Sequence, residues 1–224
     1  MNYFLIIASL FLVVEVTRAE ERREVESISD GLKVVSSYEG EIKAGLETHY
    51  FSDGTVAITM HFVGGVQQGK EVHYYPNGKR RAVIEFVDGV KHGDMFNWYP
   101  DGAFLGLAQF KEGHHDKLSQ AWHPNGNPRA RATFANGHQQ GEEVQYYLNG
   151  KRKLVGEFKD GVLHGKESQW YESGRKRSEI FYDNGEMTKL QKFWDEKGVY
   201  LEGIDIEAFK QNSSSNINQL NDKE

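Results

Sequence analysis

The sequence contains 224 residues, carries a formal net charge of −6 and has no cysteine. Without cysteine the chain has no disulfides, thiolate metal sites or cysteine nucleophiles. The negative charge argues against a nucleic-acid-binding protein, because such proteins concentrate positive charge on one surface. Hydrophobic residues make up only 38% of the chain, whereas glycine, tyrosine and phenylalanine are frequent, a composition typical of short strands and tight turns.

The N-terminal segment is apolar from Phe4 to Val14 and is followed by Thr17-Arg18-Ala19. The apolar run is shorter than the about 20 residues that a helix needs to cross a bilayer. It matches the hydrophobic region of a secretory signal with a small-x-Ala cleavage site. Three alternatives are open: a cleaved signal peptide, an uncleaved membrane anchor and a buried strand. We expect residues 1–19 to be a signal peptide and the mature protein to be periplasmic or extracellular.

The rest of the chain divides into three parts by composition. Residues 20–30 are charged and are predicted to be a solvated leader, whereas residues 205–224 are polar, low in complexity and predicted to be disordered. Between them, residues 31–204 form a tandem array with a period of 24 residues. Full copies start at Gly45, Gly69, Gly93, Lys117, Gly141 and Gly165, and a partial copy starts at Lys189.

Each copy reads as two strands joined by a turn. In the second copy the first strand ends at Tyr74, and Pro76-Asn77-Gly78 predicts a type I turn with a glycine bulge. The second strand runs to Phe86 and ends at Asp88-Gly89, a second hairpin signal. The array shows no helical periodicity. The predicted fold is therefore all-β: an elongated, single-layer antiparallel meander of hairpin repeats, curled into a trough.

Two rows of aromatic residues recur at the repeat period. The first row contains Tyr50, Tyr74, Trp98, Trp122, Tyr146, Trp170 and Trp194, and the second contains Phe62, Phe86, Phe110, Phe134, Phe158 and Tyr182. We interpret both rows as structural and place them on one face, with small residues such as Ala82 and Gly106 between them. The alternative is that the first row is a ligand-binding surface.

Catalytic and metal sites find little support in the sequence. His49 and His73 lie one repeat apart, about 9.6 Å, which is too far for two ligands of one zinc ion. No serine before the tail has a Gly-x-Ser-x-Gly setting, and Glu142 and Glu143 alternate across a strand. We therefore expect no enzyme activity, no metal and no cofactor.

Basic triplets follow three of the turns: Lys79, Arg80 and Arg81; Lys151, Arg152 and Lys153; Arg175, Lys176 and Arg177. Acidic residues such as Asp88 and Asp160 mark the opposite turns. One long edge is therefore predicted to be basic and the other acidic. Solubility and protection against sheet stacking explain this pattern. The alternative is that the basic edge recognises an acidic protein or anionic lipid, which makes the nine basic residues candidate partner-binding residues.

The pattern Gly-x-x-x-x-Tyr/Trp-Tyr-Pro-Asn/Asp-Gly-Lys, then Phe-x-Asp/Asn-Gly, resembles the MORN repeat in its bacterial variant form. Within that family the array is similar to YwqK-type antitoxins. The resemblance covers Gly45 to about Gly203 and implies an elongated sheet that contacts proteins or lipids, without catalytic residues. We expect an exported, non-catalytic scaffold for another protein, with an antitoxin-like role implied by the resemblance. The alternative function is a cell-wall, glycan-binding or anionic-lipid-binding module.

Overall fold

A computed structural model describes residues 22–202, apart from the side chains of Lys189 and Leu190. Within this range the chain forms 17 strands and no helix. The fold is all-β, as the repeat pattern predicts. The predicted signal peptide and polar tail lie outside the described residues.

Each strand pairs antiparallel with the next one in the chain, so the sheet is a meander. The strands are β1 (Arg22–Ser29), β2 (Leu32–Glu39), β3 (Ile42–Tyr50), β4 (Val56–Val63), β5 (Val66–Tyr74), β6 (Arg80–Val87), β7 (Val90–Trp98), β8 (Phe104–Lys111), β9 (His114–Trp122), β10 (Pro128–Ala135), β11 (His138–Tyr146), β12 (Arg152–Lys159), β13 (Val162–Leu163), β14 (Gly165–Trp170), β15 (Lys176–Asp183), β16 (Glu186–Trp194) and β17 (Tyr200–Leu201). β13 and β14 are two parts of one strand position, and both pair with β12. The sheet is open, with β1 and β17 at its ends.

Two kinds of turn alternate along the array. In the Asp-Gly turn both central residues take positive φ, 51° at Asp88 and 77° at Gly89, which is the type I′ geometry favoured in hairpins. In the Pro-Asn-Gly turn the Gly78 amide donates to the Tyr75 carbonyl at 2.8 Å, and Gly78 has a φ of 77°. This is the predicted type I turn followed by a left-handed glycine.

The opening glycine of each copy lies in a strand with positive φ. Gly93 has a φ of 81°, and a Cβ added there would lie 2.6 Å from a carboxylate oxygen of Glu85. Lys117 occupies the same position in the fourth copy and keeps the left-handed backbone, with a φ of 57°. A side-chain-bearing residue is strained in this conformation, so Lys117 carries a conformational cost that the glycines avoid.

The two aromatic rows lie on opposite faces of the sheet, so the expectation of a single shared face is wrong. Directly paired residues share a face, and Ala82 pairs with His73, the neighbour of Tyr74. Tyr74 itself pairs with Arg80, because β6 has one extra residue at this point. Ala82, Ile84 and Phe86 therefore share what we call the phenylalanine face. Tyr74 and the tryptophans lie on the tryptophan face.

The small residues that were predicted to lie between the two aromatic rows, such as Ala82, are on the phenylalanine face. Most of the buried side chains are on the same face. Those on the phenylalanine face are Val34, Ser36, Glu47, Ala82, Ile84, Ala108, Glu167, Ser178, Ile180 and Phe193, whereas those on the tryptophan face are Thr48, Val144 and Ser168. Ala57 is also buried and is the extra residue at the bulge in β4. Ile84 is 6% exposed. The core therefore sits on the phenylalanine face, and the tryptophan face is the more open one.

The charged segment before the array is part of the sheet. Residues 22–29, predicted to be a solvated leader, form β1 and pair along their whole length with β2. The connection is a type I′ turn at Asp30 and Gly31, with φ values of 51° and 77°. The same Asp-Gly pair closes later hairpins, so this dipeptide was the sequence signal for an additional strand.

Candidate binding surface

The middle of the tryptophan face carries a cluster of four aromatic rings. The Phe96 ring lies 6.2 Å from Trp98 and 6.4 Å from Phe104. Phe104 in turn lies 6.0 Å from Trp98 and 5.0 Å from Trp122. All four side chains keep solvent contact, and Phe104 is 36% exposed. Partly exposed aromatic rings in a continuous row are typical of binding surfaces.

A groove of about 320 Å³ continues this face over the next repeats. It runs across β10 to β15, and its floor is a row formed by Val144, Val155 and Ser168. The neighbouring row across the same strands contains Tyr146, Arg152 and Trp170. Its other lining residues are charged: Arg131, Glu142, Arg152, Lys166 and Lys176. Cations thus outnumber carboxylates in an aromatic-walled groove, which suits an anionic ligand.

The groove cations are weakly neutralised within the chain. Arg131 lies 3.3 Å from Glu142, and both side chains are more than half exposed, so the pair is screened by water. Lys176 donates to Glu179 and lies 5.9 Å from the ring centres of both Trp170 and Trp194. Arg152 and Lys166 make no ion pair or hydrogen bond among the residues that the structure describes. The charge of Arg152 is available to a ligand, whereas Lys176 and, from further away, Lys166 lower the pKa of Glu179.

The nine predicted partner-binding residues do not form one uniform edge. Lys79, Lys151 and Arg175 each donate from the side chain to a backbone carbonyl of the next Pro-Asn-Gly-type turn, those of Asp101, Ser173 and Glu196. These three cations therefore join neighbouring turns. Sequence reasoning missed this role because it depends on the register between repeats.

The other six basic residues differ in their surroundings. Arg152 and Lys176 line the groove on the tryptophan face, and the Arg177 guanidinium lies 5.8 Å from the Tyr171 ring centre. Arg80, Arg81 and Lys153 are exposed. The structure thus brings Arg152 and Lys176 together with two cations that the triplet pattern did not include, Arg131 and Lys166. A role in partner binding stays a prediction for all nine.

A row of tyrosine hydroxyl groups also links the repeats, and the sequence did not predict it. The Tyr75 hydroxyl donates to the Trp98 carbonyl, in the next repeat, at 2.8 Å. The hydroxyls of Tyr99, Tyr147 and Tyr171 likewise donate to the carbonyl of a tryptophan in the next repeat. In the fourth copy the Nε2 atom of His123 lies 3.0 Å from the Tyr146 carbonyl. In these copies the residue after the Tyr or Trp of the first aromatic row therefore joins one turn to the next.

Carboxylates occupy the middle of the phenylalanine face. Burial raises the pKa of Glu71, but hydrogen bonds from His73 and Gln67 outweigh it, so the pKa lies below its ordinary value. The pKa of Glu47 is lowered in the same way, with Lys43, Ser36 and His49 outweighing burial. In contrast, burial raises the pKa of Glu167, and the nearby Glu143 adds to this rise.

These groups do not make a metal centre. Among residues 22–202 no cluster of three or more histidine or acidic side chains is placed to hold an ion. His49 and His73 each contact the glutamate of their own strand, at 3.0 Å for the Glu47 pair. In the same range no helix is long and apolar enough to span a bilayer.

A second depression, of about 620 Å³, lies beside β1 to β4. Its cations are already paired, because Arg22 lies 2.9 Å from Glu39 and Arg23 lies 3.0 Å from Glu41. We therefore consider the groove on the tryptophan face the better candidate for an anionic ligand.

Comparison with known families agrees with this architecture. The family model for the MORN repeat variant matches residues 67–88, 139–160 and 163–184, which correspond to β5–β6, β11–β12 and β13–β15. No curated protein matches the chain. Repeats of this family are generally modules that bind proteins or lipids. The intervening copies form the same hairpins, and the chain is a MORN-repeat protein built from the variant form of the repeat.

Proposed function

We propose that the protein is an exported, non-catalytic scaffold that binds another protein through its tryptophan face. One observation carries the proposal: in a single-layer sheet whose core lies on the phenylalanine face, the opposite face presents a row of half-buried aromatic rings. Such rings supply large contact areas at low entropic cost. Cations beside them, such as Arg152 and Lys166, favour an acidic partner.

Capture of a partner tests the proposal, with the substitution Phe104→Ser as the decisive variant. Phe104 is exposed and contacts Phe96, Trp98 and Trp122, so its removal opens the aromatic cluster with little loss of buried area. We expect the parent chain to retain a specific protein from exported fractions, and Phe104→Ser to lose it. Mass spectrometry identifies the retained protein, and a toxin would fit an antitoxin-like role.

Val87→Ser is the matched control. Val87 is 43% exposed, similar to Phe104, but lies at the end of β6 beside the Asp-Gly turn, away from the aromatic cluster. We expect this variant to capture the partner as the parent does. Equal capture by the parent and Phe104→Ser would place the binding surface elsewhere. Sedimentation with insoluble glycan, reduced by Phe104→Ser, would instead favour a glycan-binding module.

Export is tested separately by the mass of the mature chain. Cleavage after Ala19 would give a protein that begins at Glu20. Recovery of a chain that retains Met1 in the membrane fraction would contradict a cleaved signal and favour an anchor.

A further inference from the structure

We propose that the groove over β10 to β15 binds an extended acidic segment of the partner protein, in the polyproline II conformation, with an acidic side chain at every third position. The proposal rests on the proposed function, because it specifies the chemistry of the partner. It concerns one part of the tryptophan face, formed by the fifth and sixth copies.

The spacing of the groove matches this conformation. Tyr146 and Trp170 lie one repeat apart, and so do Arg152 and Lys176. One repeat is two strand positions, about 9.6 Å along the array. A polyproline II helix rises about 3.1 Å per residue with three residues per turn, so every third side chain returns to the same side after about 9.3 Å. Successive repeats can therefore contact successive turns of one peptide.

The residues that line the groove offer aromatic rings for apolar contacts and cations for the acidic side chains of such a segment. Tyr146 and Trp170 are half-buried and lie on either side of Arg152. Their exposed ring surfaces can contact apolar or proline side chains, as aromatic-lined grooves do for polyproline II peptides. Arg152 and Lys166 are without ion-pair partners among residues 22–202, and Lys176 lies between two indole rings. Carboxylates at every third position would meet Arg152 and Lys176 in turn, and Lys166 lies to one side of this row.

The position of the groove excludes peptide binding by addition of a strand to the sheet. Its floor, Val144, Val155 and Ser168, lies on the face of paired strands, whose backbone groups already bond to each other. A ligand there cannot add a strand to the sheet, so recognition must come from side chains.

Synthetic peptides test the proposal directly. A fluorescein-labelled peptide of repeated Glu-Pro-Pro triplets is titrated with the parent chain, and its anisotropy is followed. The comparison peptides are repeated Glu-Pro pairs with the same number of glutamates, and repeated Lys-Pro-Pro triplets. We expect the Glu-Pro-Pro peptide to bind most tightly and to weaken as salt rises. The lysine peptide should not bind.

Two charge-matched variants locate the site. R152Q with K166Q removes two groove cations, whereas R80Q with R81Q removes two exposed cations outside it. We expect the first variant to bind the Glu-Pro-Pro peptide about tenfold more weakly and the second to bind like the parent. Circular dichroism and urea unfolding check that both variants fold.

Three results would overturn the proposal: no binding of the Glu-Pro-Pro peptide, equal binding of both glutamate spacings, or equal weakening by the two variants. Binding of phosphatidylserine vesicles that only the groove variant weakens would place a lipid there and would also overturn it. If the peptide fails while Phe104→Ser still abolishes partner capture, the proposed function stands and only the occupant is wrong.

Discussion

Four repeats are each joined to the next by a tyrosine hydroxyl group, and the strength of this bond can be measured. The Tyr99 hydroxyl donates to the Trp122 carbonyl at 2.9 Å from a half-buried position. Tyr99→Phe leaves that carbonyl without the donor, so we expect a loss of about 1 kcal/mol in the free energy of unfolding. Tyr74→Phe is the control, since the Tyr74 hydroxyl has no hydrogen bond among the described residues. Urea unfolding that gives equal losses for both variants would contradict a joining role.

Lys117 offers a test of backbone strain. It holds a φ of 57°, where neighbouring copies have glycine. Lys117→Gly removes the conflict between Cβ and the backbone, so we expect a gain of about 1 kcal/mol in the free energy of unfolding. Lys117→Ala keeps the Cβ and should give no gain. If both variants were equally stabilised in urea unfolding, the lysine side chain and not the backbone would be the cause.

At the scale of the strand, one repeat position holds glutamates with opposite pH dependence. Glu71 in β5 has a lowered pKa, so its contribution to stability is complete above the ordinary carboxyl value of 4.5 and is lost as the pH falls through the lowered pKa. Glu167 in β14 has a raised pKa. Its buried charge therefore lowers stability at neutral pH, and this cost disappears as the pH falls from the raised pKa to 4.5.

Glutamine substitutions at both positions test this difference. Glu71→Gln loses a charge-assisted contact with His73, so we expect a loss of about 1–2 kcal/mol at neutral pH. Glu167→Gln keeps an oxygen that can accept from Gln169 and should raise the free energy of unfolding at neutral pH. Urea unfolding is then repeated below pH 4.5, where the gain from Glu167→Gln should vanish. A gain that is independent of pH would exclude desolvation of the charge as its cause.

At the scale of the whole molecule, the turn residues of the sequence predicted the fold but not the pairing register between strands. The Asp-Gly and Pro-Asn-Gly turns depend on backbone preferences of a few neighbouring residues, and the structure has them as predicted. The assignment of both aromatic rows to one face was wrong because one extra residue in β6 moves Ala82 from a pairing with Val72 to one with His73. A shift by one residue reverses the face of every following side chain.

The residues of the candidate groove could be predicted only in part, because the groove too depends on the register between strands. The basic triplets pointed to Arg152 and Lys176, but the groove also includes Arg131 and Lys166, which lie far from any triplet. Three of the predicted cations, Lys79, Lys151 and Arg175, are used between turns. The cations that line the groove differ from those that join turns only in how their strands pair. This pairing depends on the register between strands and cannot be read from the triplets.

The central claim is that the core lies on the phenylalanine face and leaves the tryptophan face open. Ile84 and Val83 are neighbours in β6 and point to opposite faces; Ile84 is 6% exposed and Val83 is half-buried. The free energy of unfolding in urea is measured for Ile84→Ala and Val83→Ala. We expect Ile84→Ala to cost about 2–4 kcal/mol and Val83→Ala about 1 kcal/mol. Equal costs, or a larger cost at Val83, would contradict a core on the phenylalanine face.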